Sequence, residues 1–348
     1  MKSQAIINYG ETLEEVEIDM PQPTGEQVLV AISHCGVCHS DVHFHDGYFD
    51  MGGGNKLDVT GAREIPFTLG HEIEGEVIAV GEDVKDVKVG ERKVIYPWIG
   101  CGECADCDND REHLCNGRAL GVRLPGGFST HCLVPHERYC LDPEGIEPGL
   151  ASTYMCSGIT AYGALKHLKP MDDNEPVLSM GLGGVGMMAL QFALQMLNRP
   201  ILVADLDENK LQAARGAGAT AAYNPKDPAA LKQLLADTNG GVGAAVDFVG
   251  AESSLSFATG ALRRGGEAKI VGLFGGGFST PIPMFPFRAM SVGGSMTGSL
   301  ADTREMLELV KSGAINPIPV EMREMDQASK TLDDLREGNI LGRVVLKN

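Results

Sequence analysis

The run Gly181-Leu182-Gly183-Gly184-Val185-Gly186 constrains this chain more than any other stretch, because of what stands on either side of it. The apolar segment Pro176–Met180 precedes it and reads as a strand, and Met187–Leu197 follows as an apolar helix. A second strand, Ile201–Asp205, closes on a carboxylate 24 residues beyond Gly181. A strand, a glycine turn, a helix and a second strand ending in an acid predict a crossover unit that binds a dinucleotide. Glycine suits such a turn because a pyrophosphate must lie against bare backbone at a helix N-terminus, where free N–H groups and the helix dipole favour anions. Gly181, Gly183, Gly184, Val185 and Gly186 are the candidate phosphate-binding residues.

Asp205 is placed to accept hydrogen bonds from the adenosine ribose and would repel a 2′-phosphate, and Leu206 supplies no cation, so NAD is expected over NADP. Lys210 is a second candidate for that ribose; its alternative is a solvated lysine on a helix face. Strand-like and helix-like segments continue to alternate through Ala244–Val249 and Ala268–Gly272, which predicts a parallel sheet with helices on both faces. The first 150 residues read differently. Short β-like runs (Gln27–Ile32, Gly75–Val80, Arg92–Tyr96) are separated by turn residues and suggest a β-rich, barrel-like domain. After about residue 290 come helical segments at Thr303–Ser312 and Met325–Arg336 and a closing strand, Gly342–Leu346.

With 348 residues and 43% hydrophobic content, two cores are expected. Asp and Glu number 47 against 29 Lys and Arg, a net charge of −18 that disfavours nucleic acid and anionic membrane surfaces as partners. No apolar run reaches the roughly 20 residues of a membrane helix, and the N-terminal residues pass directly into a β-like alternation, so a cytoplasmic protein with no membrane partner is expected. Nine cysteines in such a chain point to metal or catalysis before disulfides. Cys101, Cys104, Cys107 and Cys115 stand at spacings x2, x2 and x7, a soft four-thiolate set suited to tetrahedral zinc. The ferredoxin run, with its fourth cysteine three residues on and followed by proline, differs from a gap of seven followed by Asn116. Four sulfur ligands leave no open position, so that zinc would be structural.

A second cluster, Cys38-His39-Ser40-Asp41-Val42-His43, places a thiol, a hydroxyl, a carboxylate and two imidazoles within six residues. Cys35 and Cys38 make another C-x2-C pair, but no partner pair completes a four-cysteine site and a redox motif fits a β-rich context poorly. Cys38, His71 and Cys156 each read individually as core residues; beside a cofactor fold and a zinc cluster, they read together as one metal site.

Across its whole length, and in order, the chain resembles the zinc-dependent, medium-chain alcohol dehydrogenases. The resemblance rests on Gly36–His43, Gly70-His71-Glu72 with Gly75 and Gly81, the four-cysteine lobe, Cys156–Gly163, the glycine run and Gly342–Val345. It implies a GroES-like, β-rich catalytic domain from 1–156 plus 291–348, with the zinc lobe at about 97–117, and a doubly wound Rossmann domain at 157–290. It implies two zinc ions per subunit, the catalytic one on Cys38, His71 and Cys156 with its fourth position left to water or substrate. Asp41 would orient a ligand imidazole, that of His71, and Glu72 would lie close behind the metal. Ser40 would take the alcohol proton and His43 would pass it to solvent through the cofactor ribose. His39 and Arg343 match positions that approach the pyrophosphate. The expected reaction is NAD-linked interconversion of primary or secondary alcohols with aldehydes or ketones, in a homo-oligomer, dimer or tetramer; Phe285-Pro286-Phe287 and Ser291–Ser299 are candidate subunit-contact residues.

Two alternatives stand beside it: a polyol or sugar dehydrogenase of the same superfamily, in which a carboxylate usually replaces the third ligand, and a zinc-stabilised binding protein without activity. Two departures are plain. The Cys38-to-His71 interval is longer than usual and carries a polar, glycine-rich insert, Asp50–Arg63, expected to border the substrate entrance or to be a surface loop. Glu74 stands where the family usually has a small or apolar residue, and is expected either to pair with a cation or to face solvent. The short run Gly275-Gly276-Gly277 is expected to let a loop approach something closely.

Overall fold

The computed structural model describes residues 1–348 except Asn116, Pro170 and Asp173. Asn116, which helped to set the cysteine lobe apart from a ferredoxin run, therefore lies outside the described residues. The chain divides into two compact units: 1–48 with 58–159 and 298–348, and 49–57 with 160–297.

The first unit is built on the strand Val28–Gly36. Along one edge it pairs antiparallel with Glu72–Val80. Its other edge is shared: residues 28–31 pair with His131–Val134, and residues 34–36 with the C-terminal strand Arg343–Lys347. Glu72–Val80 continues outward to Arg92–Ile95 and Cys140–Leu141, while the C-terminal strand continues to Val320–Glu324. Val28, Val30, Cys35 and Gly36 are buried, so this strand carries the middle of a core. A strand shared by three segments brings the far ends of the sequence together, delivering residues 36, 72 and 343 to one place. Lys2–Ile6, Glu14–Glu17 and Phe67–Thr68 form a small separate sheet.

The second unit holds six parallel strands in the order Ala221–Tyr223, Ile201–Ala204, Val177–Met180, Val242–Asp247, Leu262–Ile270, Ser291–Gly294. This is a doubly wound arrangement whose order reverses between Val177–Met180 and Val242–Asp247. Val177–Met180, Ile201–Ala204 and Val242–Asp247 are buried at every residue, which is why they read as unbroken apolar runs rather than alternating ones. Leu178, Leu202, Val242, Leu255, Ala258 and Leu262 are among the residues that fill its core. Among the described residues no helix is long and apolar enough to cross a membrane.

The Asp50–Arg63 insert is ordered as a hairpin, Tyr48–Asp50 with Lys56–Asp58, followed by a short 3-10 turn at Thr60–Ala62. Gly52, Gly53 and Gly54 turn its tip, with φ values of 79°, 61° and 80° that other residues rarely adopt.

Candidate metal centre and cofactor site

The opening cluster lies on a helix, His39–Asp46, which follows directly from the central strand. Cys38 caps it in an extended conformation, φ −113° and ψ 155°. Asp41, at the third helical position, reaches back to accept from the Cys38 backbone N–H at 2.9 Å through Oδ2. Its Oδ1 accepts from Gly70 N at 3.2 Å and lies 3.1 Å from His71 Nδ1. One fully buried carboxylate thus ties the helix that carries Cys38 to the segment that carries His71. Such a burial is stable only with several donors, and Asp41 has them.

Cys156 sits on a single π-helical turn, Tyr154–Gly158, between the helical segments Leu150–Thr153 and Ile159–Lys166. A π turn widens the helix locally and is frequent at functional sites. The sulfurs of Cys38 and Cys156 are 3.9 Å apart. The ligand atoms of Cys38, His71 and Cys156 lie within 4.8 Å of one another, and all three residues are buried. Tetrahedral zinc with bonds of about 2.3 Å to sulfur needs sulfurs about 3.8 Å apart. His71 Nε2 is buried with no hydrogen-bond partner among the described residues. The hydrogen bond from Cys156 holds the Cys38 thiol well below its ordinary range, while Cys156 itself is pushed well up. Two sulfurs at this spacing and a converging imidazole nitrogen form a donor set that fits zinc, and a bound zinc ion would hold both cysteines as thiolates.

Beneath this trio, Glu72 is fully buried. Its Oε1 accepts from Ser157 N at 3.2 Å and Ser157 Oγ at 3.0 Å, and its Oε2 from Arg343 Nη2 at 2.5 Å. Burial raises the Glu72 carboxyl above its usual range and the Arg343 charge draws it back. Gly36 makes the approach possible, since a β-carbon there would lie 1.9 Å from Glu72 Oε2. Arg343 is 5% exposed and its Nε has no partner among the described residues. In this structure its guanidinium faces Glu72.

Ser40 and His43, three residues apart on one helix face, are half-buried, and His39 is exposed with its ring 6.1 Å from that of His43. His45 is separate: it is buried and its Nε2 lies 2.6 Å from Glu11 O, a packing role. The Trp98 ring is 5.7 Å from that of His71, and Trp98 is 9% exposed. Cys35 is fully buried, with its thiol pushed well up by burial, and its sulfur fills the space beside Gly70 and Gly127.

In the lobe, the Cys101–Cys107, Cys104–Cys107 and Cys104–Cys115 sulfur distances are 4.0, 3.6 and 3.6 Å. Backbone N–H groups of Cys101 and Gly102 point at the sulfurs of Cys115 and Cys107, each at 3.4 Å. The Cys107 backbone N–H, followed by its side chain, draws Cys104 down to about 7. All nine cysteines are unpaired, and these four form a closed thiolate cage that fits a structural zinc.

In the second unit, Gly183 caps the helix Gly184–Met196. Gly181 has φ 89°, and a β-carbon on Gly186 would lie 1.8 Å from Gly181 O, so these two glycines close the strand onto the helix. A β-carbon on Gly183 would meet no protein atom within 4 Å, which leaves bare backbone open to a pyrophosphate. Asp205 accepts from Leu182 N at 2.6 Å and from Asp207 N at 2.9 Å, one bond to each oxygen. Lys210 is half-buried on the helix Glu208–Gly216.

Two buried acids, Glu74 and Asp247, serve as structural anchors. Glu74 is fully buried, pairs with Arg92 Nε at 2.6 Å and accepts from Gly149 N at 2.9 Å. Asp247 accepts from Val249 N, Gly250 N and Ser254 Oγ at 2.9, 3.1 and 2.8 Å, shaping the loop after its strand. The only local signal for Asp247 is an acid ending an apolar strand, the same signal that marked Asp205.

Comparison with known proteins agrees with this architecture. Residues 24–144 match the alcohol dehydrogenase GroES-like domain family, and residues 184–312 the zinc-binding dehydrogenase family. An NAD-dependent alcohol dehydrogenase of Saccharolobus solfataricus is 32% identical over 99% of both chains. The crystal structure of the alcohol dehydrogenase from Aeropyrum pernix superposes with a TM-score of 0.89 at 28% identity, covering 100% of both chains. That of D-arabinose dehydrogenase from Sulfolobus solfataricus gives 0.84 at 25%, again over 100% of both. The chain belongs to the zinc-dependent, medium-chain alcohol dehydrogenase family, with a GroES-like and a Rossmann-type fold. It is an NAD-linked oxidoreductase of the alcohol–carbonyl type, and NAD and zinc are its cofactors.

Proposed function

We propose that this chain reversibly oxidises primary or secondary alcohols to aldehydes or ketones through the trio Cys38, His71 and Cys156. The observation that carries the assignment is three converging donors around one point, with His71 Nε2 unpartnered among the described residues. When bound, zinc supplies a Lewis acid that makes the alcohol hydroxyl acidic, and NAD supplies the hydride acceptor. Asp41, beside Nδ1, holds the His71 ring so that Nε2 is the atom presented to the metal. Ser40 would accept the hydroxyl proton, and His43, one helical turn on, would pass it towards solvent. Trp98, packed beside His71, walls the substrate side and excludes water.

Gly181, Gly183, Gly184, Val185 and Gly186 would receive the pyrophosphate of bound NAD, and Asp205 with Lys210 its adenosine ribose. His39 and Arg343 supply positive charge near the phosphates, with Arg343 dividing its guanidinium between that task and Glu72. The working domains are expected at 1–156 plus 291–348 for catalysis and 157–290 for NAD; because Ser291–Gly294 is the sixth strand of the parallel sheet, the second boundary belongs nearer 297. Cys101, Cys104, Cys107 and Cys115 hold the structural zinc. Homo-oligomerisation as dimer or tetramer is supported by Ser291–Gly294 at the sheet edge and by exposed Phe274, Ile282 and Phe287. The nine unpaired cysteines suit a reducing cytoplasm.

A second reading, polyol or sugar oxidation, draws on the likeness to D-arabinose dehydrogenase. Against it, Cys156 rather than a carboxylate completes the trio, and Glu72 is bound to Ser157 and Arg343. Reduced-cofactor absorbance with a panel of primary, secondary, aromatic and polyol substrates separates the two. Turnover confined to polyols or sugars would select the second reading, and none at all by folded, zinc-replete protein would refute both.

A further inference from the structure

The two glycine runs that the chemistry leaves unused meet each other. Within the second unit, the tip of the Tyr48–Asp58 hairpin packs backbone to backbone on the Gly275–Gly277 loop. A β-carbon on Gly52 would lie 2.5 Å from Gly277 N and 2.7 Å from Gly276 C, and one on Gly275 would lie 2.9 Å from Asp50 O. Gly276 N donates to Asp50 O at 3.4 Å. The obstructing atoms are largely backbone and cannot swing aside, so glycine is needed on both sides of the contact.

The loop under the hairpin lies at the carboxyl edge of the parallel sheet. It continues from the carboxyl end of Leu262–Ile270 and runs beside the loop that leaves Val242–Asp247. Phe274 N donates to Val249 O at 3.1 Å and Gly275 N to Gly250 O at 3.1 Å, while Val271 and Gly272 both donate to Asp247 O. Dinucleotides lie across the carboxyl ends of such strands, one mononucleotide to each half of the sheet. Asp205 belongs to the half that takes the adenosine, so the nicotinamide end falls to the half formed by these two loops.

We propose that the hairpin is a clasp on the cofactor half of the molecule, holding the Gly275–Gly277 loop in place and thereby slowing NAD(H) release. This rests on the NAD-binding reading of the glycine run. It assigns the insert to the cofactor rather than to the substrate entrance, and it follows from the lengthened interval before His71.

The test compares Gly52→Ala with Gly54→Ala in the full-length, zinc-replete enzyme. Both glycines have φ near 80°, so both variants carry the same turn strain, but a β-carbon on Gly54 meets nothing within 4 Å. NADH dissociation is read by stopped-flow fluorescence, and relative kcat/KM over the alcohol panel is measured alongside. The clasp predicts NADH release accelerated about three- to tenfold in Gly52→Ala, near wild type in Gly54→Ala, with the substrate order unchanged. Equal release rates in the two variants would overturn it. So would a changed substrate order in Gly52→Ala with unchanged NADH release, which would return the hairpin to the substrate entrance. A wild type that binds no NADH would instead refute the cofactor reading beneath it.

Discussion

Replacing Asp205 by alanine tests how the cofactor is chosen. Each carboxylate oxygen holds one backbone N–H, from Leu182 at 2.6 Å and from Asp207 at 2.9 Å, which fixes the carboxylate with lone pairs remaining for the two ribose hydroxyls. A hydrogen bond to a charged group contributes about 1.5–3 kcal/mol, and because Asp205 is half-exposed the lower value applies to each, about 3 kcal/mol together. Removing the carboxylate also relieves repulsion of a 2′-phosphate, by about 1–2 kcal/mol at a half-exposed, salt-screened site. The two effects add in the ratio of kcat/KM for NAD over NADP, because one weakens NAD and the other strengthens NADP. At about 1.4 kcal/mol per tenfold, the ratio should fall by about a thousandfold. Loosening of Leu182 acts on both cofactors and largely cancels in the ratio. Asp205→Asn, which removes the charge but keeps an acceptor, should fall between the two. The assay is initial-rate reduction of each cofactor at one saturating alcohol, and a ratio that moves less than tenfold in Asp205→Ala would place the ribose contact elsewhere.

Arg92→Met leaves the buried Glu74 carboxylate with the Gly149 backbone N–H as its remaining donor among the described residues, and should cost about 2–4 kcal/mol in urea unfolding, less than for a fully buried pair because Arg92 is itself 35% exposed. A loss below 1 kcal/mol would show that Glu74 does not depend on the cation. Asp247→Asn tests a pH dependence. Burial holds the Asp247 carboxyl above its usual range, so the folded state takes up that proton before an unfolded carboxyl near about 3.9 does. Stability of the wild type relative to Asp247→Asn is therefore fullest below the unfolded pKa and is lost as pH rises through the folded one. Urea unfolding at pH 4 and pH 7.5 should show the difference moving towards the wild type in acid; a constant difference, or one of opposite sign, would contradict the burial argument.

Much of the fold was legible because its signals are local. The glycine run, the strand ending in Asp205 and the spaced cysteines each carry their chemistry within a few residues, so spacing alone identifies them. Buried parallel strands announced themselves as apolar runs for the same reason. The helix His39–Asp46 went unread because its eight residues, HSDVHFHD, have little apolar periodicity; it is fixed by Asp41 bonding to Cys38, Gly70 and His71 instead. Glu72 and Arg343 are 271 residues apart, and only the shared central strand brings them together. The family resemblance placed Arg343 near the pyrophosphate but did not reveal its ion pair with Glu72. Glu74 found its cation, Arg92, across an antiparallel pair whose register no local pattern specifies. The hairpin and the Gly275–Gly277 loop were visible as separate oddities, and their contact became legible only in three dimensions.

The two proposed metal sites differ in their work, one catalytic and one structural. The most direct measurement is zinc content per chain, taken with NAD binding and turnover, for the wild type, Cys156→Ser and Cys107→Ser. Two zinc ions are expected in the wild type. Cys156→Ser should keep one, bind NAD and lose at least 99% of its activity, whereas Cys107→Ser should lose the lobe zinc and unfold at lower temperature. Two tightly held zinc ions, or wild-type turnover, in Cys156→Ser would contradict that division of work.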